Sequence, residues 1–290
     1  MYQKNALKKT ITFGLYPFLL IFGIGLCILT TVFNWNVKGA FTAMAAGRFV
    51  LMLAIEFVFP LKEKWKMTIK SFIRDLKYAA FVGTTGFGFK YLIGLLAFDY
   101  AGRKGILSGL PLFWGIVSAL LIYEFLQYWF HRISHEAKGR FGQFLWKIHA
   151  AHHLPDKVYL LMHPVAHPLN AIVVMLISQI VFVGLGVDSK VLLFVNTIMG
   201  INGLVSHFNV DIRAGWLNYI FITAELHRYH HSNKLDEAQN FGAIISFWDI
   251  IFGTFNYKKD QVPESLGITN PENYPDSNEI FKVMSLPFRK

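Results

Sequence analysis

The stretch PLFWGIVSALLIYEFLQYWFHRISH, residues 111–135, is an apolar run that ends in two histidines four residues apart. Proline at its start suits the first turn of a helix, where the missing N–H would have no partner anyway. Residues three and four apart share one helix face, so His131 and His135 point the same way from the end of this segment. Two further clusters repeat the shape, His149-x-x-His152-His153 and His227-x-x-His230-His231, and all 11 histidines lie between His131 and His231. Imidazole suits iron, zinc, copper or nickel. One helical pair is as often a surface or core feature as a ligand set. Three clusters on a chain otherwise empty of histidine mark a metal site. Eight boxed rings exceed what one tetrahedral zinc or one reactive six-coordinate iron takes, so two neighbouring ions fit the number.

Working outward, the chain is 54% hydrophobic and only 16% charged over 290 residues, far more apolar than a soluble domain. Residues 11–33 are long enough to cross about 30 Å of hydrocarbon at about 1.5 Å per residue. A signal peptide is the competing reading, with Lys4, Lys8 and Lys9 as its basic end. The run is longer than such an apolar region and no small-residue cleavage site follows Phe33, so a retained helix is expected. Residues 40–59, 76–98 and 111–130 complete four spans in a transmembrane region 1–130.

Lys62, Lys64, Lys66, Lys70, Arg74 and Lys77 crowd the second loop, whereas the flanking loops hold only Lys38, Arg103 and Lys104. The positive-inside rule then puts the N-terminus, the second loop and His131 on the cytoplasmic side. The membrane is a bacterial inner membrane or the endoplasmic reticulum. A net charge of +10 is accounted for by loops facing anionic headgroups, and no nucleic-acid motif accompanies it.

Residues 131–255 form the histidine-box region. It includes an apolar helical hairpin, 170–205, broken at Val187-Asp188-Ser189-Lys190, which requires an even number of crossings to return the third cluster to the first two. Residues 256–290 read as a polar tail, with Pro263, Pro271, Pro275 and Pro287, that packs loosely or not at all. The sole cysteine, Cys27, excludes disulfides and cysteine-ligated metal. The expected fold is an all-α polytopic membrane bundle with a histidine-rich helical di-metal site on the cytoplasmic side.

Glu124 shares a helical face with Tyr128, His131 and His135. A carboxylate there needs a partner, either the distal N–H of a ligating histidine, which fixes its tautomer, or a neighbouring cation. Arg48 and Glu56, two turns apart, read as an intramembrane ion pair or interhelix clasp. His207 follows an apolar helix and is the candidate ninth ligand. His163 and His167 stand in a proline-broken loop, which cannot present an i, i+4 pair.

Three runs carry a resemblance: Tyr128-Trp129-Phe130-His131-Arg132-Ile133-Ser134-His135, Trp146-Lys147-Ile148-His149-Ala150-Ala151-His152-His153 and Glu225-Leu226-His227-Arg228-Tyr229-His230-His231. With Asn240-Phe241-Gly242 and Trp248-Asp249-Ile250-Ile251-Phe252-Gly253-Thr254, they resemble the sterol desaturase and fatty acid hydroxylase superfamily over residues 120–255. The resemblance implies two iron ions, dioxygen as co-substrate, a lipid substrate and electrons from a separate cytochrome-b5-type or ferredoxin-type donor, giving hydroxylation or desaturation. The family often carries a further histidine pair between the second and third boxes. Here Asp211 stands four residues after His207, so either Asp211 ligates or that site is one ligand short. Glu225, Asn240 and Asp249, inside the matched motifs, are candidates to support the ligands from behind. Two rivals remain. Zinc in the same cage would give a membrane lipid hydrolase, and a transition-metal transporter would need its ligands at mid-membrane depth.

Overall fold

Asn36 accepts a hydrogen bond from the Gly39 N–H at 2.7 Å, satisfying one of the donors that a helix N-terminus leaves without an intrahelical partner. The computed structural model describes residues 2–96 and 104–289, which are 67% helical, with isolated β-bridges and no strand among them. Phe98 and Arg103 lie outside the described residues, as does the side chain of Lys4. The long helices are α1 (Tyr2–Val32), α2 (Val37–Val58), α3 (Ile69–Leu96) and α4 (Leu112–Glu136). After them come α5 (Gly139–His153), α6 (Pro168–Ser178), α7 (Ser189–Ser206), α8 (Ala224–His230), α9 (Phe247–Ile251) and α10 (Ile280–Ser285).

Four helices are long and apolar enough to cross a bilayer: α1, α2, α4 and α7. The expected third span, 76–98, falls on α3, which is not among them. Gly83, Thr84, Thr85, Gly86, Gly88 and Lys90 dilute its hydropathy, and several of these residues face a cavity rather than lipid. α7 takes its place in the set. Outward-facing Phe57 and Phe113 are each 66% exposed, part of the apolar belt that a bilayer covers.

The hairpin of the histidine region crosses the bundle from end to end. α6 opens with Pro168 at its first turn and His167 as its cap, and its last turn widens into a π-helical segment at Gln179–Gly184. At the tip, the Leu107 N–H donates to Leu185 O at 2.9 Å and the Ser108 hydroxyl to Gly186 O at 2.7 Å, so the hairpin reaches the loop between α3 and α4. α7 then returns antiparallel to α1, fastened by Tyr16 OH donating to Asn202 Oδ1 at 2.7 Å. The loop after α2 lies at the histidine end, where the Leu61 N–H donates to Asn209 O at 2.8 Å.

Two expectations are corrected here. Arg48 and Glu56 form no ion pair. The Glu56 carboxylate instead accepts backbone N–H groups of Leu160 and Asn209 at 2.9 and 2.8 Å, tying the loop after α5 to the end of α7, while Arg48 turns toward Gly200 and a separate lipid-side cavity. The tail is not loose. Ile280 and Val283 are buried against Trp65, Tyr78 and Tyr159, Tyr78 OH donates to Ser277 O at 3.1 Å, and Trp146 Nε1–H donates to Tyr274 OH at 2.8 Å. Scattered apolar residues between the prolines supply the anchors, a pattern with no helical period to read.

Candidate metal centre

The α4–α5 corner brings the first two clusters face to face. Gly139 turns the chain at φ +75°, a conformation glycine adopts without strain, and a Cβ at Gly142 would overlap the Ala137 carbonyl. α5 therefore folds back along α4, and His149 and His153, one turn apart, meet His131 and His135. Thr223 caps α8 by accepting from the Glu225 N–H at 3.2 Å, which starts the short helix that delivers His227, His230 and its end residue His231. His207 ends α7.

The nine histidines converge in two groups. His131, His135, His149, His153 and His230 form one, and His152, His207, His227 and His231 the other; within each group the donor nitrogens lie within 4.8 Å of one another. His153 and His231 stand between the groups with ring centroids 4.6 Å apart. His163 reaches no group, although its Nδ1 lies 3.4 Å from that of His207. His167 caps α6 through Nδ1 and donates from Nε2 to Met284 O at 3.1 Å.

The ring orientations fit a bound cation. Carbonyl oxygens only accept, so the Nδ1 atoms facing Phe241 O (His131, 2.7 Å), Val165 O (His152, 2.9 Å) and Gln239 O (His230, 3.1 Å) carry protons. His149 Nδ1 donates to Asn170 Oδ1 at 3.2 Å. His131 and His149 then oppose Nε2 lone pairs at 3.0 Å, a repulsive contact that a shared cation converts to two bonds. The buried His135 Nε2 has no hydrogen-bond partner.

With bonds of about 2.1 Å, neighbouring nitrogens that share one ion sit about 3.0–3.4 Å apart. The successive Nε2 pairs His131–His149, His149–His153 and His153–His230 measure 3.0, 3.0 and 3.1 Å. In the second group His152–His207, His207–His227 and His227–His231 are each 3.1 Å. In both sets these neighbours are close enough to share one ion.

Supporting contacts differ from expectation. Glu124 bonds no histidine; its Oε2 accepts the N–H groups of Ala243 and Ile245 at 3.0 and 3.2 Å. Asp211 does not join a group and pairs with Arg213 at 2.8 Å. Glu225 accepts from Ala214 N and Asn218 Nδ2 at 2.7 and 2.8 Å, shaping the loop before α8. Asn240 donates to Leu226 O and Asn256 O at 3.0 and 2.9 Å, which clamps the strap that follows α8.

Asp249 acts closest to the centre. It accepts from Phe241 N, Gly242 N and Thr254 Oγ1 at 2.7, 2.8 and 2.6 Å, holding the carbonyl that orients His131. Asn170 belongs with these supports and is absent from the sequence reading. A lone amide inside the apolar run Leu169 to Val173 was its signal.

Burial, then neighbouring rings, pushes the imidazoles of His149, His153, His227, His230 and His231 well below their ordinary value, and burial brings His152 down to about 4. All are neutral at pH 7, the form in which an imidazole can bind a metal. Because the folded values are depressed, the unfolded chain takes up protons first, so stability is complete above about 6.5 and declines as pH falls toward 4. Burial raises Asp249 to about 6 and also raises Asp75, and these carboxyls act in the opposite sense, against a larger set of rings. Chelated protein followed by thermal melting should therefore lose stability steadily between pH 6.5 and 4, and bound metal should be released over the same window. A flat profile there would contradict buried neutral rings.

A cavity of about 740 Å³ lies over this floor, reached by His131, His149, His152, His207 and His227 and walled by α3, α4, α6 and α7. Its walls are predominantly apolar, with Phe130, Val174 and Met175 among them, the character of a lipid site.

Residues 116–254 match the family model for fatty acid hydroxylase. The chain is 34% identical over 160 residues to an ornithine lipid hydroxylase, OlsE, of Rhizobium tropici, covering 55% of this chain and 47% of that protein. It is 29% identical to the alkylglycerol monooxygenase of Homo sapiens (55% of this chain, 34% of that one) and 26% identical to the very-long-chain aldehyde decarbonylase GL1-7 of Oryza sativa subsp. japonica (56% and 26%). It thus spans about half or less of the length of these relatives. No solved structure matches it. Apolar helices and lipid-enzyme relatives together describe a multi-pass membrane protein. Over residues 116–254, a little under half of its length, the chain is similar to the fatty acid hydroxylase family, and its relatives lie within the sterol desaturase and fatty acid hydroxylase superfamily.

Proposed function

We propose that this protein is a di-iron oxygenase that hydroxylates a membrane lipid, taking dioxygen and two electrons from outside the chain. The observation that carries the reading is the pair of nitrogen cages at the floor of an apolar cavity. When bound, two irons supply the power to activate dioxygen and attack an unactivated C–H bond.

The residues of the chain do the rest. The nine histidines hold the ions, five on one and four on the other; Phe241, Val165, Gln239 and Asn170 fix the ring tautomers. The cavity walls exclude water and lay the alkyl chain over the floor. Nine histidines, more than tetrahedral zinc sites need, favour iron over a hydrolytic zinc. Ligands gathered at helix ends, rather than along a path at mid-depth, disfavour a transporter. The basic loop at the histidine end supports a cytoplasmic active site, where a cytochrome-b5-type or ferredoxin-type protein docks.

Lipid extracts of cells with and without the gene, compared by mass spectrometry, test the reading. A lipid gaining one oxygen, only when a reductant system is present, is the expected result. Loss of two hydrogens would replace hydroxylation by desaturation, and identical extracts would count against the enzyme.

A further inference from the structure

Gln127 is a polar residue on the cavity wall whose amide has no hydrogen-bond partner among the described residues. It lies on α4 one turn before His131, on the same face, and is only 8% exposed. Its buried Oε1 has no hydrogen-bond partner, and its side chain lines the cavity. Amide oxygen and nitrogen are interchangeable in such a placement, so the observation concerns the whole carboxamide, which can both donate and accept.

The other amide lining the cavity, Asn170, is committed to His149. The His163 ring turns toward His207. Tyr123 stacks on Phe182 at 5.4 Å between ring centroids. Farther from the histidines the wall is chiefly apolar, with Val82, Phe87 and Met175. A buried amide without a partner is costly, and a ligand that supplies one gains by the same amount.

The geometry points to Gln127 as the residue that selects the substrate: a long-chain lipid bearing a hydroxyl or amide, hydrogen-bonded to Gln127, with the oxidised carbon a few bonds from that group. Four residues of helix rise separate Gln127 from His131 by about 6 Å, which sets that short distance. The alkyl chain then runs between α3 and α6, away from the floor. This rests on the lipid-oxygenase reading and narrows it, placing attack near the polar end rather than far down the tail.

The test uses binding, which needs no turnover. The full chain in nanodiscs is titrated with hexadecanamide and with heptadecane, which matches its length but lacks the amide, by competition against a fluorescent polyene alcohol. The wild-type protein is expected to prefer the amide by about tenfold or more, since a site built for a hydrogen bond rejects an analogue lacking it. Gln127→Leu should reduce that preference to within about twofold, with bound metal unchanged. Gln127→Met, unbranched and adaptable in a core, gives the same readout should the leucine variant fold poorly. Equal binding of both probes by the wild type, or an undiminished preference in the variants, would overturn the assignment. A preserved preference in protein that oxidises no lipid would overturn the oxygenase reading alone.

Discussion

His153→Ala is expected to strip metal from the five-nitrogen group and to lower turnover by about a thousandfold or more, with helix content retained. His153 Nε2 lies 3.0 Å from that of His149 and 3.1 Å from that of His230, so its loss breaks two edges of the cage. Its ring also packs on His231 of the second group, and both sites should weaken. The stability change depends on metal. In the metal-free state only the packing and contacts of one buried ring are lost, so the chelated variant should melt only a little below chelated wild type. With metal present it should melt much lower, because the binding energy that stabilises the fold is lost. Elemental analysis and paired melts check both arms. A variant that keeps its metal and its activity would remove His153 from the site.

Asp249→Ala should be nearly as damaging from a position that touches no histidine. Its carboxylate is fully buried, and its removal orphans two backbone N–H groups and leaves the Thr254 hydroxyl only its contact with Tyr128 OH. At about 1–3 kcal/mol for each stranded group, partly relieved by relaxation, the cost is about 3–5 kcal/mol of stability. The Phe241 carbonyl then loses its fixed place and His131 its orientation, which should weaken metal binding about 10–100-fold. Asp249→Asn keeps the shape but turns an amide N–H against a backbone N–H, so it should fall between the two. Melting temperature and metal titration read both effects; unchanged metal affinity in the alanine variant would break the proposed link from Asp249 to His131.

The three clusters were readable because helices write metal sites at spacings of three and four, and a chain with no other histidines leaves little competing signal. His207 was readable more weakly, as a single ring at the end of an apolar helix. What aims these rings was not readable. Phe241, Val165 and Gln239 act through backbone carbonyls, which any residue possesses, and Glu124 and Asp249 act by holding the strap that carries one of them.

Asp211 illustrates the opposite failure. Its spacing from His207 imitates a ligand pair, but α7 has ended there, the helical face no longer exists, and Arg213 is the nearer partner. Charge pattern misled similarly in α2, where Arg48 and Glu56 share a helix but Glu56 finds backbone donors on other segments. The apolar runs gave the helices, except that α3 trades hydropathy for a cavity-lining face. The tail packs through scattered single residues, a kind of burial that only tertiary structure reveals.

The proposed function stands on this cluster holding two iron ions, and counting the metals decides it. Protein purified without oxygen or added chelator should contain two irons per chain by elemental analysis. His153→Ala should lose iron chiefly from the five-nitrogen group, and His207→Ala from the other. A single firmly held zinc per chain, or lipid oxidation by protein free of iron, would contradict the account.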